Sequence, residues 1–265
     1  EFKDFTPGGK CGLMSAGEGT AFEQFAVWPS TVAIPSPLAD LVPPVPLHAD
    51  GPIVVDDDFQ GPDGAALEGR KARVGAGAWR VGAGQWSIHD GAAACAAPDS
   101  FARIDTGVND YEITLKIELP KTAPVDHDWF PAVQARCTGI RSLYTDGGID
   151  ARFLWQGSSN EIEVWDIPAN TPGNASQWGD PDPSGNKIVH MKLINATNIT
   201  PMIRPGQTHD LRIIVRGRRV TYFCDDVLVG AAWTRADRGT WAGMNIDREG
   251  DAGCRFLKFT VRAFK

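Results

Sequence analysis

Three carboxylic acids fall close together in Glu161-Ile162-Glu163-Val164-Trp165-Asp166. Cleavage of a glycosidic bond with retention needs two carboxyl groups about 5–5.5 Å apart, one as nucleophile and one as acid/base. Residues on one face of a strand can supply that separation. Asp166 falls on the opposite face from Glu161 unless a bulge adds a residue between them. A plainer reading is a strand with one wet face, on which charged residues alternate with apolar ones. A third is binding without cleavage, in which Glu161, Glu163 and Trp165 offer acceptors beside a ring.

Further polar residues of the same kind sit on other strand patterns: Gln134, Arg136, Arg152, His190 and Lys192. If these strands are neighbours in one sheet, they join Glu161, Glu163 and Trp165 on a single face. Such a face suits a carbohydrate, whose C–H surface stacks on a ring and whose hydroxyls need paired donors and acceptors. Strand adjacency does not follow from the sequence. Trp129, Trp178 and Trp233 stand in or beside loop patterns, where aromatic residues are placed for partner contact. Trp79, Trp86 and Trp241 stand in strand patterns and are expected in the core. The long stretch 168–186, with its Pro, Gly and Asn residues, predicts a surface loop near the presumed cleft.

Metal and nucleophile signals are weak. The run Asp56-Asp57-Asp58 could place oxygens on calcium, with Asp58 the candidate ligand, but no spaced loop motif accompanies it and a solvated edge is the expectation. The histidines show no paired spacing, and no nucleophile elbow or glycine-rich phosphate loop stands in a matching context. No catalytic cofactor is implied. Cys11, Cys95, Cys137, Cys224 and Cys254 are odd in number and lack the paired spacing of a zinc site, so buried thiols are expected, with one disulfide left open. Asn174, Asn195 and Asn198 head glycosylation triplets, which matter only in a eukaryotic secretory setting.

The elements that must position these residues are strands. Tyr111, Ile113, Leu115, Ile117 and Leu119 alternate with Glu112, Thr114, Lys116 and Glu118. Similar alternation runs through 53–59, 133–137, 149–155, 161–167, 189–193, 209–216, 219–224, 227–230, 241–247 and 255–263. Gly147-Gly148, Gly157-Ser158-Ser159, Gly217-Arg218 and Asp225-Asp226 punctuate them as turns. Many short strands without a long amphipathic helix predict an all-β protein, a sandwich or a closed barrel. Seven prolines between Pro29 and Pro52 predict a stiff linker or surface strap over 29–52.

Composition narrows the partners. The net charge of −7 argues against nucleic acid, whose backbone is bound by clustered Lys and Arg. No stretch approaches the roughly eighteen apolar residues that read as a membrane-spanning helix.

The stretch His209–Val229, HDLRIIVRGRRVTYFCDDVLV, resembles the three-strand meander of concanavalin A-like and laminin G-like domains, with Asp-Asp where the family often has Asp-Gly. Ala242-Gly243-Met244 followed by Phe256-x-x-Phe259-x-Val261 resembles the family's closing strands, and Asp58-Phe59 with Trp79 and Trp86 its opening. The resemblance implies a two-sheet antiparallel jelly roll over 53–265. Cys11-Gly12-Leu13-Met14 and Phe22-x-x-Phe25-x-Val27 repeat the closing pattern. Residues 1–28 are therefore expected to be a strand pair ending a preceding copy, as in a piece of a longer protein. Laminarinase-type glucanases of this fold carry Glu-x-Asp-x-x-Glu, or a shorter variant, in the concave cleft. By that resemblance Glu161 would be nucleophile, Glu163 the middle acid and Asp166 the acid/base, with Glu and Asp exchanged at the last two positions.

Three readings follow. The leading one is a glycan- or receptor-binding module of an extracellular or virion protein, similar to sandwich domains on phage tails, with the ligand on the concave sheet. The second is a glycoside hydrolase using Glu161 and Asp166. The third is a structural spacer or an oligomer-building domain.

Overall fold

A computed structural model describes residues 48–95, 97, 100–121, 131–156, 159–167, 169, 180–181, 187–188, 192–198, 206–234, 236–246 and 253–265. The chain divides into two compact units, Glu1–Val45 and Pro46–Lys265. The strand pair expected at 1–28, and the proline-rich stretch up to residue 47, lie outside the described residues.

Alternation produces strands throughout the second unit. In chain order they are β1 (Ile53–Asp57), β2 (Arg80–Ala83), β3 (Trp86–His89), β4 (Ala92–Cys95), β5 (Ser100–Asp105), β6 (Tyr111–Glu118) and β7 (Pro131–Cys137). A single helical turn, α1 (Leu143–Asp146), follows. Then come β8 (Gly148–Gln156), β9 (Ser159–Ile167), β10 (Asp180–Pro181), β11 (Lys187–Ile188) and β12 (Lys192–Asn198). The chain ends with β13 (Thr208–Arg216), β14 (Arg219–Cys224), β15 (Val227–Trp233), β16 (Trp241–Ile246) and β17 (Arg255–Ala263).

Two large antiparallel sheets result. One runs β15-β14-β13-β6-β17-β4-β3, with β1 also on β17, and the other runs β12-β9-β8-β7-β16-β5-β2. β13, β14 and β15 form the meander expected at 209–229. The β14–β15 turn takes positive φ at both Asp225 (49°) and Asp226 (61°), so its tight geometry survives without glycine. Asp tolerates that region better than most residues.

The core lies between the sheets. Ile113, Leu115 and Ile117 of β6, Leu211 and Ile213 of β13, and Phe259 and Val261 of β17 cluster with Val133, Ile149, Ile162, Val164 and Met244 of the second sheet. Trp79 is fully buried among Phe59 and Phe259, with ring centroids 5.6 and 5.2 Å away. Trp86 is buried against Phe256. Trp241 departs from the expected core placement. It alternates with buried Ala242 and Met244, so it faces outward and is only half-buried.

The acid run near the start is not a solvated edge. Asp57 is buried and accepts from the Trp79 indole, the Arg70 guanidinium and the Phe59 amide. Asp56 is buried too and pairs with Arg73, Lys258 and the Thr260 hydroxyl. Three cations already neutralise these carboxylates. The Asp58 carboxylate accepts the nearby Gln60 amide, and its carbonyl accepts the Gln60 side chain. The weaker calcium candidate does not fit this run either, because the described residues offer no converging set of uncompensated oxygens.

The strap end at 48–52 docks on the sandwich. The Gly51 amide donates to Ala263 and the Ala263 amide to Pro52, closing a short ladder beside β17. A Cβ at Gly51 would stand 2.5 Å from the Ala263 carbonyl oxygen, so only glycine allows this approach.

Candidate functional site

The outer face of the second sheet collects most of the polar residues singled out above. Strand register fixes which meet. Arg103 on β5 stands opposite Gly243 on β16, Gly243 opposite Gln134 on β7, Gln134 opposite Asp150 on β8, and Asp150 opposite Trp165 on β9. One row over, Phe101, Asn245, Ala132, Arg152 and Glu163 line up the same way. Arg152 and Glu163 are half-buried, whereas Trp165 is buried.

A hydrogen-bond chain ties these rows together. Arg103 Nε donates to Gln134 Oε1 at 2.7 Å, and Arg103 Nη1 to Asp146 Oδ2 at 2.9 Å and the Gly139 carbonyl at 2.7 Å. Gln134 Nε2 donates to Asp150 Oδ1 at 3.4 Å. The other Asp150 oxygen takes both Nε and Nη2 of Arg152, at 3.0 and 2.6 Å. The Arg152 guanidinium lies 5.6 Å from the Trp165 ring centroid, and Trp165 Nε1 donates to Glu163 Oε2 at 2.8 Å.

Glycines make this packing possible. A Cβ on Gly243 would lie 2.1 Å from the Ala102 carbonyl oxygen and 2.8 Å from Arg103 Cγ. Its absence lets the Arg103 side chain cross β16 to reach Gln134. A Cβ on Gly82 would fall inside the Phe101 ring, which stacks under the Arg103 guanidinium at 4.4 Å.

Arg136 leaves this face, contrary to the expectation for it. β7 carries a bulge between its pairings with Trp241 and Gly243, and Arg136 sits in it with φ at 53°. The bulge redirects the side chain to the sandwich rim. There it donates to Asp110 and to the carbonyls of Asn109, Gly217 and Ala236. Arg136 thus ties together three loops and offers no ligand contact.

Asp166 leaves it as well. β9 pairs with β8 in unbroken register from Ser159 to Ile167, so no bulge shifts its alternation. Asp166 shares the parity of core residues Ile162 and Val164, is buried, and accepts from Thr234 Oγ1 at 2.9 Å. Glu161 has the opposite parity, with Glu163 and Trp165. The carboxylate pair of the glucanase pattern is therefore split across the sheet, and Trp165 follows Glu163 on the Glu161 parity. Lys192 departs from the expectation too: its register position on β12 is opposite Asp166, on the parity away from Glu163 and Trp165, while Ala196 stands opposite Glu163. His190 lies outside the described residues.

Arg103, Asp146 and Asp150 were not singled out in the sequence. Arg103 lies in Ser100–Asp105, a run too short and mixed to stand out as a strand. Its one signal is an arginine between Ala102 and Ile104, which alternation turns away from the core. Asp146 belongs to α1 and also accepts the Arg141 and Ser142 amides, which fix the turn over Arg103.

Burial holds the protons of one thiol and one phenol beside this network. Burial pushes the Cys137 thiol up to about 11 despite nearby Arg103. Burial also raises the Tyr111 phenol, which accepts the Arg136 amide at 2.6 Å.

No protein-family model and no curated protein matches the chain. Solved structures do. The laminarinase from Rhodothermus marinus superposes with a TM-score of 0.50 at 12% identity, covering 82% of this chain and 99% of its own. The carbohydrate-binding module CBM66 from Bacillus subtilis gives 0.49 at 14% identity, covering 70% and 95%. The endo-beta-1,3-glucanase from Pyrococcus furiosus gives 0.46 at 12% identity, covering 82% and 96%. The chain has the concanavalin A-like β-sandwich jelly-roll fold. At these identities the likeness describes the fold, and superfolds host many activities.

Proposed function

We propose that the chain is a glycan-binding module of a larger extracellular or virion protein, and that it binds without cleaving. The ligand lies on the outer face of the second sheet, over Arg152, Glu163 and Trp165. Glu161 borders this spot along β9, and His190 belongs to the segment leading into β12.

The observation that carries this reading is the locked pair of Arg152 and Glu163 around Trp165. Asp150 holds the guanidinium by two bonds, and the indole holds the carboxylate by one. A donor and an acceptor are thus fixed beside a ring before any ligand arrives. Preorganised groups lose little rotamer freedom on binding, which favours weakly interacting polyhydroxyl ligands. Gln134 belongs to the supporting row, since it is buried and engaged on both sides. The split of Glu161 from Asp166 argues for binding and against hydrolysis.

The natural context we infer is a surface glycan as partner, with other domains of the same parent protein in tandem. Residues 1–28 would end the preceding copy. Phage tail proteins are one such setting.

A structural spacer or oligomer-building domain is the second reading. Full burial of Arg103, Gln134 and Asp150 favours it, because that network stiffens the sheet whether or not a ligand binds.

A pull-down on bacterial cell walls and soluble polysaccharides tests the choice, with Arg152→Ala and Glu163→Gln alongside. Saturable binding weakened at least about tenfold in either folded variant supports the glycan site. Absence of binding to every wall and glycan, or binding untouched by both substitutions, supports the structural reading.

A further inference from the structure

At the far rim of the first sheet, three side chains of different donor type converge. His209, the second residue of β13, has the core-facing parity of Leu211 and Ile213, and it is buried. Cys224 ends β14, is fully buried, and belongs to the same core cluster. Asp225 opens the β14–β15 turn with φ at 49° and reaches back to β13. The register pairing of Leu211 with Cys224 holds these positions together.

Their donor atoms, one nitrogen, one sulfur and one oxygen, all lie within 4.8 Å of one another. His209 Nδ1 and Asp225 Oδ2 are already 2.9 Å apart. Asp225 Oδ1 accepts the Asp210 amide at 2.9 Å, which fixes the carboxylate and leaves its second oxygen aimed at the imidazole. Neighbouring ligand atoms on a tetrahedral zinc stand about 3–4 Å apart, given bond lengths of about 2.0–2.3 Å. Drawing the three atoms from within 4.8 Å to that spacing closes the set.

We propose that His209, Cys224 and Asp225 form a binding site for a borderline divalent cation of the zinc type. Mixed nitrogen, thiolate and carboxylate donors select such an ion over calcium or magnesium, which take oxygen alone. Three protein donors leave a fourth position for water. On binding, the cysteine thiol gives its proton to solvent and its sulfur bonds the metal. The surroundings favour a cation. Asp210, Asp225 and Asp226 gather three carboxylates here against two cations, Lys116 beside Asp210 and Arg212 beside Asp226. A bound ion would clip the start of β13 to the β14–β15 turn. This site is independent of the glycan face, which lies on the other sheet.

The test uses the full chain, stripped with a chelator and then titrated with Zn²⁺ against a chromophoric competitor. Co²⁺ in place of zinc reports thiolate ligation through its near-ultraviolet charge-transfer band. The expected result is one equivalent bound, with the cobalt band present in Cys95→Ser and lost in Cys224→Ser. Asp225→Asn is expected to weaken zinc at least about tenfold. Asn adopts positive φ readily, so this variant keeps the turn and decides the matter if Cys224→Ser fails to fold. The proposal is overturned by an absence of saturable binding, by a cobalt band that survives Cys224→Ser, or by unchanged affinity in Asp225→Asn.

Discussion

Arg103 Nη1 meets Asp146 Oδ2 at 2.9 Å, and both side chains are closed to solvent at 0% and 1% exposure. Removing one partner of such a pair strands the other charge in the protein. Asp146→Ala is therefore expected to cost about 3–5 kcal/mol of unfolding free energy. Arg80 and Glu68 pair at 2.8 Å with half of each side chain exposed, so Glu68→Ala should cost about 0–1 kcal/mol. Urea unfolding of the two variants checks the contrast. Equal losses would mean that burial does not control these pairs.

Gly243 is the residue that lets Arg103 cross its sheet. In Gly243→Ala the new methyl would meet the Ala102 carbonyl oxygen, a backbone atom that cannot rotate away. The expected penalty is about 1–3 kcal/mol, as for other overpacked positions. Glycan binding should fall as well, since the row from Arg103 to Trp165 shifts with the strand. A variant as stable as the parent would show that β5 and β16 separate without cost.

Asp166 faces Thr234 and not Glu161, so bound polysaccharide should stay intact. Incubation with any wall or glycan that binds, followed by a reducing-end assay, is expected to show no release above a buffer control. Release that disappears in Glu161→Gln and Asp166→Asn would overturn this expectation.

Stability should decline on the alkaline side. In the metal-free chain, burial raises the Cys137 thiol to about 11, and burial with Asp225 and Asp210 raises Cys224 to about 12, from an ordinary 9.0 in each case. The folded state thus keeps protons that the unfolded chain releases. Their stabilising contribution is complete below pH 9 and is lost as pH rises through 11 and 12. Each group accounts for at most about 1.4 kcal/mol per pH unit in that window. Melting temperatures from pH 8 upward should stay level to about 9 and then fall, with a gentler fall in Cys137→Ala. A flat profile would contradict the burial of these thiols.

The all-β class, the meander at 209–229 and the alternation that turns Glu163 and Trp165 away from the core are all legible in the order of the residues. Period-two patterning is local, and each strand carries it in its own residues. It also predicted that Asp166 opposes Glu161 in the absence of a bulge, because parity along one strand is a local property. Tertiary structure alone decided the rest. Arg136 left the face through a bulge whose extra residue shows only against its partner β16. Asp56 and Asp57 became buried because Arg70, Arg73, Trp79 and Lys258 arrive from other parts of the chain. Arg103, Asp146 and Asp150 come from separate elements and meet through Gly243 and the α1 turn. His209, Cys224 and Asp225 converge in the same way across a strand register. Such meetings depend on which strands pair and in what register, and that choice belongs to the packed sandwich as a whole.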